Sequence, residues 1–272
     1  MGTSGWCSRM IDAAFADWMA VTNGESGAIV RRSPDGTRFA KAVERAEIAN
    51  LAAERDRAIW LDTQGIPGPR VLDWIEGDCG AVLVTSAVPG IGADRLSADD
   101  LTRAWPGIGR AVRRLHDLDL GACPFRGYDL AARMALARDV VARGGVNPQF
   151  LSEADRLLDP EAILGDLEAA LPTMLTREAD DLVVCHGDCC LPNIMVDPQT
   201  LTVTGFIDLG RLGIADLHAD LALLLANARE TWPEESAALL ADAVMMGADH
   251  YGRALDPERL AFSLRLDPLT WG

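Results

Sequence analysis

The sequence predicts an α+β fold in two parts, a smaller β-rich part over residues 1–88 and a larger, mainly helical part over residues 89–272. Three observations lead there. Short apolar runs bounded by turn residues recur early in the chain, amphipathic helical periodicity dominates from residue 97 onward, and Pro89, Gly90 and Gly92 interrupt the pattern between them. At 272 residues and 49% hydrophobic, the chain can bury a large core, and one catalytic unit with a single cleft is the expectation.

Taken in order, Val21 to Val30 has strand-like ends around Gly24-Glu25-Ser26-Gly27, whose glycines would let backbone amides approach phosphate oxygens. An ordinary hairpin turn has the same composition. Arg38-Phe39-Ala40 is a strand-like run after the turn Ser33-Pro34-Asp35-Gly36, and it leads into Lys41. Ala46 to Asp62 carries Ile48, Leu51, Ala52, Ile59 and Leu61 at spacings that predict an amphipathic helix. Ala81 to Thr85 is an apolar strand that runs into Ser86-Ala87-Val88-Pro89-Gly90. Helices follow over Ser97 to Leu118, with Ser97 as N-cap, and over Tyr128 to Arg143 and Glu161 to Leu171. Leu182 to Cys185 predicts a short buried strand, and Ile194 to Val196 with Leu201 to Ile207 a hairpin around Asp197-Pro198-Gln199. Helices over Asp216 to Asn227 and Glu235 to Tyr251 come next, and Asp256-Pro257-Glu258 combines an N-cap aspartate with proline at the first helical position.

The chemistry is concentrated in His186-Gly187-Asp188-Cys189-Cys190-Leu191-Pro192-Asn193 and the following Ile207-Asp208-Leu209-Gly210. Two carboxylates and a carboxamide stand at the offsets where kinase-like phosphotransferases keep a catalytic base and two magnesium ligands. Phosphoryl transfer needs a hydroxyl aimed at the γ-phosphorus and cations over the equatorial oxygens, so Asp188 is the candidate base and Asn193 and Asp208 the hard oxygen donors for Mg²⁺. An isolated His-Gly-Asp tripeptide or a lone aspartate at a turn is usually a cap; the joint occurrence beside strand-like runs points to ATP-dependent phosphoryl transfer. Lys41 is the only lysine in the chain, every other basic residue being arginine. A compact ammonium suits the α and β phosphates where a planar guanidinium would not. Glu54, thirteen residues on, could pair with Lys41; Glu47 is the competing partner. Ser86 and Ala87 resemble the hinge of a two-lobed kinase, where backbone groups bind the adenine edge.

Charge is lopsided. Residues 145–272 hold 22 Asp plus Glu against 7 Arg, about −15 of the total −16, whereas residues 1–144 are nearly balanced. A negative surface attracts cations and argues against nucleic acid or an acidic acceptor. No apolar run reaches the ~20 residues a membrane span needs. Met1 to Asp17 has one basic residue, Arg9, and does not resemble a secretory signal, so a cytoplasmic location is expected. Cys7, Cys79, Cys123, Cys185, Cys189 and Cys190 lack paired spacing, so reduced thiols are expected, with oxidant sensitivity near the motif; zinc on Cys185, His186, Cys189 and Cys190 would lack a second cluster. His116 reads as a packed or capping histidine.

On these motifs, together with Glu54-Arg55-Asp56-Arg57-Ala58-Ile59-Trp60-Leu61, Gly210-Arg211-Leu212-Gly213, Ala219-Asp220-Leu221-Ala222-Leu223 and the terminal Arg265-Leu266-Asp267-Pro268-Leu269-Thr270-Trp271-Gly272, the chain resembles the aminoglycoside phosphotransferases, and among them the streptomycin 3''-phosphotransferases. The resemblance implies a protein-kinase-like two-lobed fold, residues 1–88 binding nucleotide and 89–272 carrying the catalytic loop and the aminoglycoside site. It implies ATP as co-substrate with Mg²⁺, a cationic aminoglycoside as acceptor and no protein partner. Residue by residue it carries phosphate binding to Lys41, the hinge to Ser86 and Ala87, a loop-bracing role to Asp220, and an acceptor-side role to Asp188 and Asp267. Residues 120–170 vary among relatives and leave acceptor contacts there unassigned, and the Cys189-Cys190 pair departs from many of them. Another cationic alcohol as acceptor, or nucleotide binding without catalysis, are the alternatives.

Overall fold

The structure is a computed structural model that describes residues 14–21, 28–126, 128–231 and 251–271. The chain divides into two compact units: residues 1–91 with 195–197 and 204–210, and residues 92–194 with 198–203 and 211–272.

The first unit is built on an antiparallel sheet of five strands, β1 (Met19–Val21), β2 (Ile29–Arg32), β3 (Arg38–Glu44), β4 (Val71–Gly77) and β5 (Gly80–Ser86), in the order β1-β2-β3-β5-β4. Alternation along the strands sorts side chains to two faces. Ala40, Ala42, Val82 and Val84 pack with Phe15 and Trp18, whereas Val43, Ala81 and Leu83 pack with Leu51 of helix α1 (Ile48–Thr63). Lys41 shares the phase of Val43 and stands opposite Leu83 and Val30, so the same alternation turns it toward α1. Strands β1 and β4 have no clear sequence signal: β1 is exposed along its length, and β4 slips register between Val71 and Asp73.

In the second unit, β7 (Leu182–Cys185) pairs antiparallel with β10 (Gly213–Asp216). Between them in sequence lie β8 (Ile194–Val196) and β9 (Val203–Phe206); the short β6 (Ile91–Gly92) follows β5. Helix α2 (Ala98–His116) buries Leu101, Trp105, Ile108, Val112 and Leu115, and the Ser97 hydroxyl accepts from the Asp100 amide at 3.1 Å. A further core joins Leu130, Met134 and Val141 of α3 (Leu130–Ala142), Ile163, Leu167 and Met174 of α4 (Pro160–Glu178), and Phe262 and Leu266 of α6 (Pro257–Leu266). Helix α5 (Leu217–Thr231) follows β10 directly.

Two boundaries depart from expectation. Helix α4 does not stop at Leu171 but runs through Pro172 to Glu178. Proline costs a helix one hydrogen bond, yet residues beyond it are anchored: Met174 is in the core and the Glu178 carboxylate accepts the Leu130 amide at 2.7 Å, so packing outweighs the local penalty. The helix expected from Asp216 starts at Leu217, and Asp216 ends a strand over Gly213–Asp216 that the sequence does not predict; all four residues are buried, so they lack the alternation that marks a half-exposed strand. The expected helix Glu235 to Tyr251 lies outside the described residues except for Tyr251.

Candidate active site

The first unit brings Lys41, Glu54 and Asp208 together. The Lys41 ammonium donates to Glu54 Oε2 at 2.7 Å and lies 3.4 Å from Asp208 Oδ1. Glu54 reaches it because it lies on the inward stripe of α1 with Leu51, Ala58 and Leu61; Glu47 instead accepts from Asn50. Burial pulls the Lys41 pKa down, but Glu54 and then Asp208 more than offset it, so the group stands above its ordinary value and stays an ammonium. Asp208 follows β9 in the left-handed region, φ 55°, which aspartate tolerates better than most residues, and its side chain is 56% exposed.

Ser86 and Ala87 close β5. The Ser86 amide donates to Arg70 O and the Ala87 amide to Thr37 O, both at 2.8 Å, while the Ser86 hydroxyl accepts from the Arg70 amide. Their backbone N–H donors are therefore spent inside the fold, so their backbone can offer a ligand only carbonyl oxygen. The next amide, Val88, precedes Pro89, which has no N–H; sequence patterning did not single Val88 out. Gly24, Glu25, Ser26 and Gly27 lie outside the described residues.

The second unit brings Asp188 and Asn193 together. The Asn193 carboxamide donates from Nδ2 to Asp188 Oδ2 and to Asp188 O, both at 2.9 Å, which leaves its Oδ1 as an acceptor. A 3-10 turn over Leu191–Asn193 sets this geometry, pinned by Leu191 N donating to Asn227 Oδ1 at 3.0 Å. Gly187 turns the chain with φ 82°; a Cβ there would fall on the Arg211 carbonyl. Asp220, fully buried at the start of α5, accepts from the His186 amide at 2.6 Å and the Gly187 amide at 2.8 Å. His116 Nε2 lies 3.0 Å from Asp220 Oδ2 and its Nδ1 lies 2.5 Å from the Tyr251 hydroxyl. His116 is thus a packed histidine, and a hydrogen-bonded one. Burial alone would raise the Asp220 pKa, but the His116 hydrogen bond, His116 and His186 charge and the Gly187 amide hold it below the ordinary value.

Asp267 is buried, at 7% exposure. The Trp271 indole donates to its Oδ2 at 3.0 Å, and the Arg133 and Arg211 guanidiniums each lie 3.7 Å from Oδ1. Arg211 also stacks on the Trp271 ring, 3.5 Å from its centroid. The carboxylate expected to face an acceptor is thus enclosed by arginines and an indole. Burial pushes the Cys185 and Cys189 thiols well up, which disfavours the thiolate on which oxidant sensitivity depends. Among the described residues the one grouping of metal-type ligands is His116, Cys185 and Asp220, not the cysteine pair; Asp220 is already bound to His116 and two amides, and Cys185 to the Asp216 carbonyl.

Residues 16–261 match the model of the phosphotransferase enzyme family. The chain is 60% identical to a streptomycin 3''-kinase from Streptomyces griseus over 94% of its own length and 93% of the relative's. Its structure superposes with a TM-score of 0.90 and 50% identity, over the full length of both chains, on aminoglycoside phosphotransferase APH(3'')-Id from Streptomyces rimosus in complex with ADP and streptomycin. It is also similar to an aminoglycoside-3'-phosphotransferase of type VIII, with a TM-score of 0.81 and 34% identity over 99% of this chain. The β-rich unit followed by a mainly helical one is the kinase-like architecture of these enzymes, and the chain belongs to the aminoglycoside phosphotransferase family.

Proposed function

We propose that this chain transfers the γ-phosphoryl group of ATP to the 3''-hydroxyl of streptomycin, releasing ADP and inactivating the antibiotic. The choice of acceptor rests on the likeness to the Streptomyces griseus streptomycin 3''-kinase. It agrees with the acidic surplus of residues 145–272, since streptomycin carries two guanidinium groups.

Asp188 is the general base that accepts the hydroxyl proton as the new P–O bond forms and the bond to the ADP oxygen breaks, with Asn193 holding its carboxylate in one orientation. Lys41, fixed by Glu54, places one positive charge on the α and β phosphates. The Ser86 and Ala87 carbonyls serve as acceptors for the adenine edge, and the Val88 amide takes the donor role that the Ser86 and Ala87 amides cannot fill. Asp208 and Asn193 would hold Mg²⁺; carboxylate and amide oxygens are hard donors that suit it, and the ion when bound would neutralise phosphate charge. Asp267 supports the acceptor side by holding Arg211 and Trp271. No helix of the described residues is long and apolar enough to cross a membrane; a cytoplasmic location is proposed because the reaction uses cellular ATP. Acceptor-dependent ADP release, followed across a panel of aminoglycosides with Mg-ATP, tests the proposal. Streptomycin should be the strongest stimulant, and ADP release indifferent to every aminoglycoside would refute it.

A further inference from the structure

The peptide plane between Gly187 and Asp188 decides where the Asp188 carboxylate points. Glycine restricts that plane least of all residues, so something outside the loop has to hold it. On its nitrogen side, the Asp188 amide donates to His186 Nδ1 at 3.2 Å. On its oxygen side, the Tyr128 hydroxyl donates to the Gly187 carbonyl at 3.0 Å. The phenol's direction is fixed as well, because Arg211 Nη1 donates to the Tyr128 oxygen at 3.2 Å and leaves the phenolic hydrogen for Gly187. Arg211 is in turn held by stacking on Trp271 and by Asp267. Burial, against the pull of Arg211 and Arg133, keeps the phenol protonated and therefore a donor. Tyr128 is one of only two tyrosines in the chain, and the other, Tyr251, is linked to the same loop through His116 and Asp220.

We infer that Tyr128 is a positioning residue for phosphoryl transfer, fixing the Gly187–Asp188 peptide so that Asp188 meets the acceptor hydroxyl. The inference rests on Asp188 being the base. It also makes the C-terminal residues Asp267 and Trp271 part of the support of the catalytic loop, through Arg211 and Tyr128.

Tyr128→Phe keeps the ring and removes only the hydroxyl. Losing one hydrogen bond of this kind should lower kcat about 3- to 10-fold, with KM for ATP and for streptomycin within about twofold of wild type. Amide exchange should quicken more in a peptide covering residues 182–193 than in other peptides, a local excess that a uniform loss of stability would not produce. In an Asp188→Asn background the further loss should shrink below about twofold, because a residue acting through Asp188 is silent without it. An unchanged kcat in Tyr128→Phe, or an equal loss with and without Asp188, overturns the inference while leaving the base in place. Near-wild-type turnover of Asp188→Asn alone overturns the base assignment, and the inference with it.

Discussion

Lys41 is the chain's only lysine, and its ammonium is shared between Glu54 and Asp208, so amine chemistry reads this one residue against a background of arginines. Amine-directed labelling should modify Lys41 and the N-terminus alone, with Mg-ATP protecting the former; equal labelling of Lys41 with and without nucleotide would place it outside the phosphate site. Asp188→Ala should cut turnover about 10²- to 10⁴-fold while leaving nucleotide affinity nearly intact. Asp208→Ala should weaken Mg-nucleotide binding too, and titration calorimetry would separate the two outcomes. Asp267→Asn should raise KM for streptomycin more than KM for ATP, since Trp271 and Arg211 depend on it; a change confined to ATP would remove it from the acceptor side. The sequence leaves both Glu54 and Glu47 open as partners of Lys41, because helix phase is not readable to better than a turn; the packing of Leu51, Ala58 and Leu61 decides for Glu54. The enclosure of Asp267 could not be anticipated, because it depends on Arg133 and Arg211, remote in sequence, and no pattern around Asp267 announces them.

The catalytic loop is held by elements far along the chain. Asp220 at the head of α5 takes two loop amides, His116 at the end of α2 takes Asp220, and Tyr128 before α3 takes the Gly187 carbonyl. Gly187→Ala would put a side chain at positive φ and against the Arg211 carbonyl, costing about 1–2 kcal/mol for the backbone alone. Thermal unfolding should show a clear drop, and a wild-type midpoint would mean the turn is not formed as described. Asp220 and Asp216 both titrate below their ordinary values. A depressed carboxylate contributes stability that is fully present above the unfolded pKa, about 4, and is lost as pH falls through the folded value. The melting temperature should therefore be insensitive to these groups between pH 5 and pH 8, as order-of-magnitude bounds, and fall only in more acid solution; a decline already complete by about pH 5 would contradict their ion pairing. At this scale the sequence revealed elements with local signals, such as β7 and the Asp256-Pro257 start of α6. It concealed β10 and the continuation of α4 beyond Pro172, whose existence depends on partners that no local pattern names.

Across the whole molecule, charge and kinship agree on a cationic acceptor. The surplus of about −15 over residues 145–272 should speed capture of a dication. Raising salt from about 0.05 to 0.5 M shortens the Debye length from about 14 Å to about 4 Å, so kcat/KM for streptomycin should fall while kcat changes little. A flat salt profile would assign the carboxylates to solubility instead. The fold class was readable from the order of strand-like and helical segments. The acceptor was not readable from those segments alone and required the resemblance carried by the C-terminal sequence. The central claim is tested most directly by incubating the protein with Mg-ATP and streptomycin or kanamycin, and analysing the products by mass and by phosphorus-coupled NMR. Streptomycin should gain one phosphoryl group on its 3''-hydroxyl while kanamycin, which lacks the guanidinylated ring, is left largely unmodified; phosphorylated kanamycin beside unmodified streptomycin, or a phosphate on any other streptomycin hydroxyl, would contradict the account.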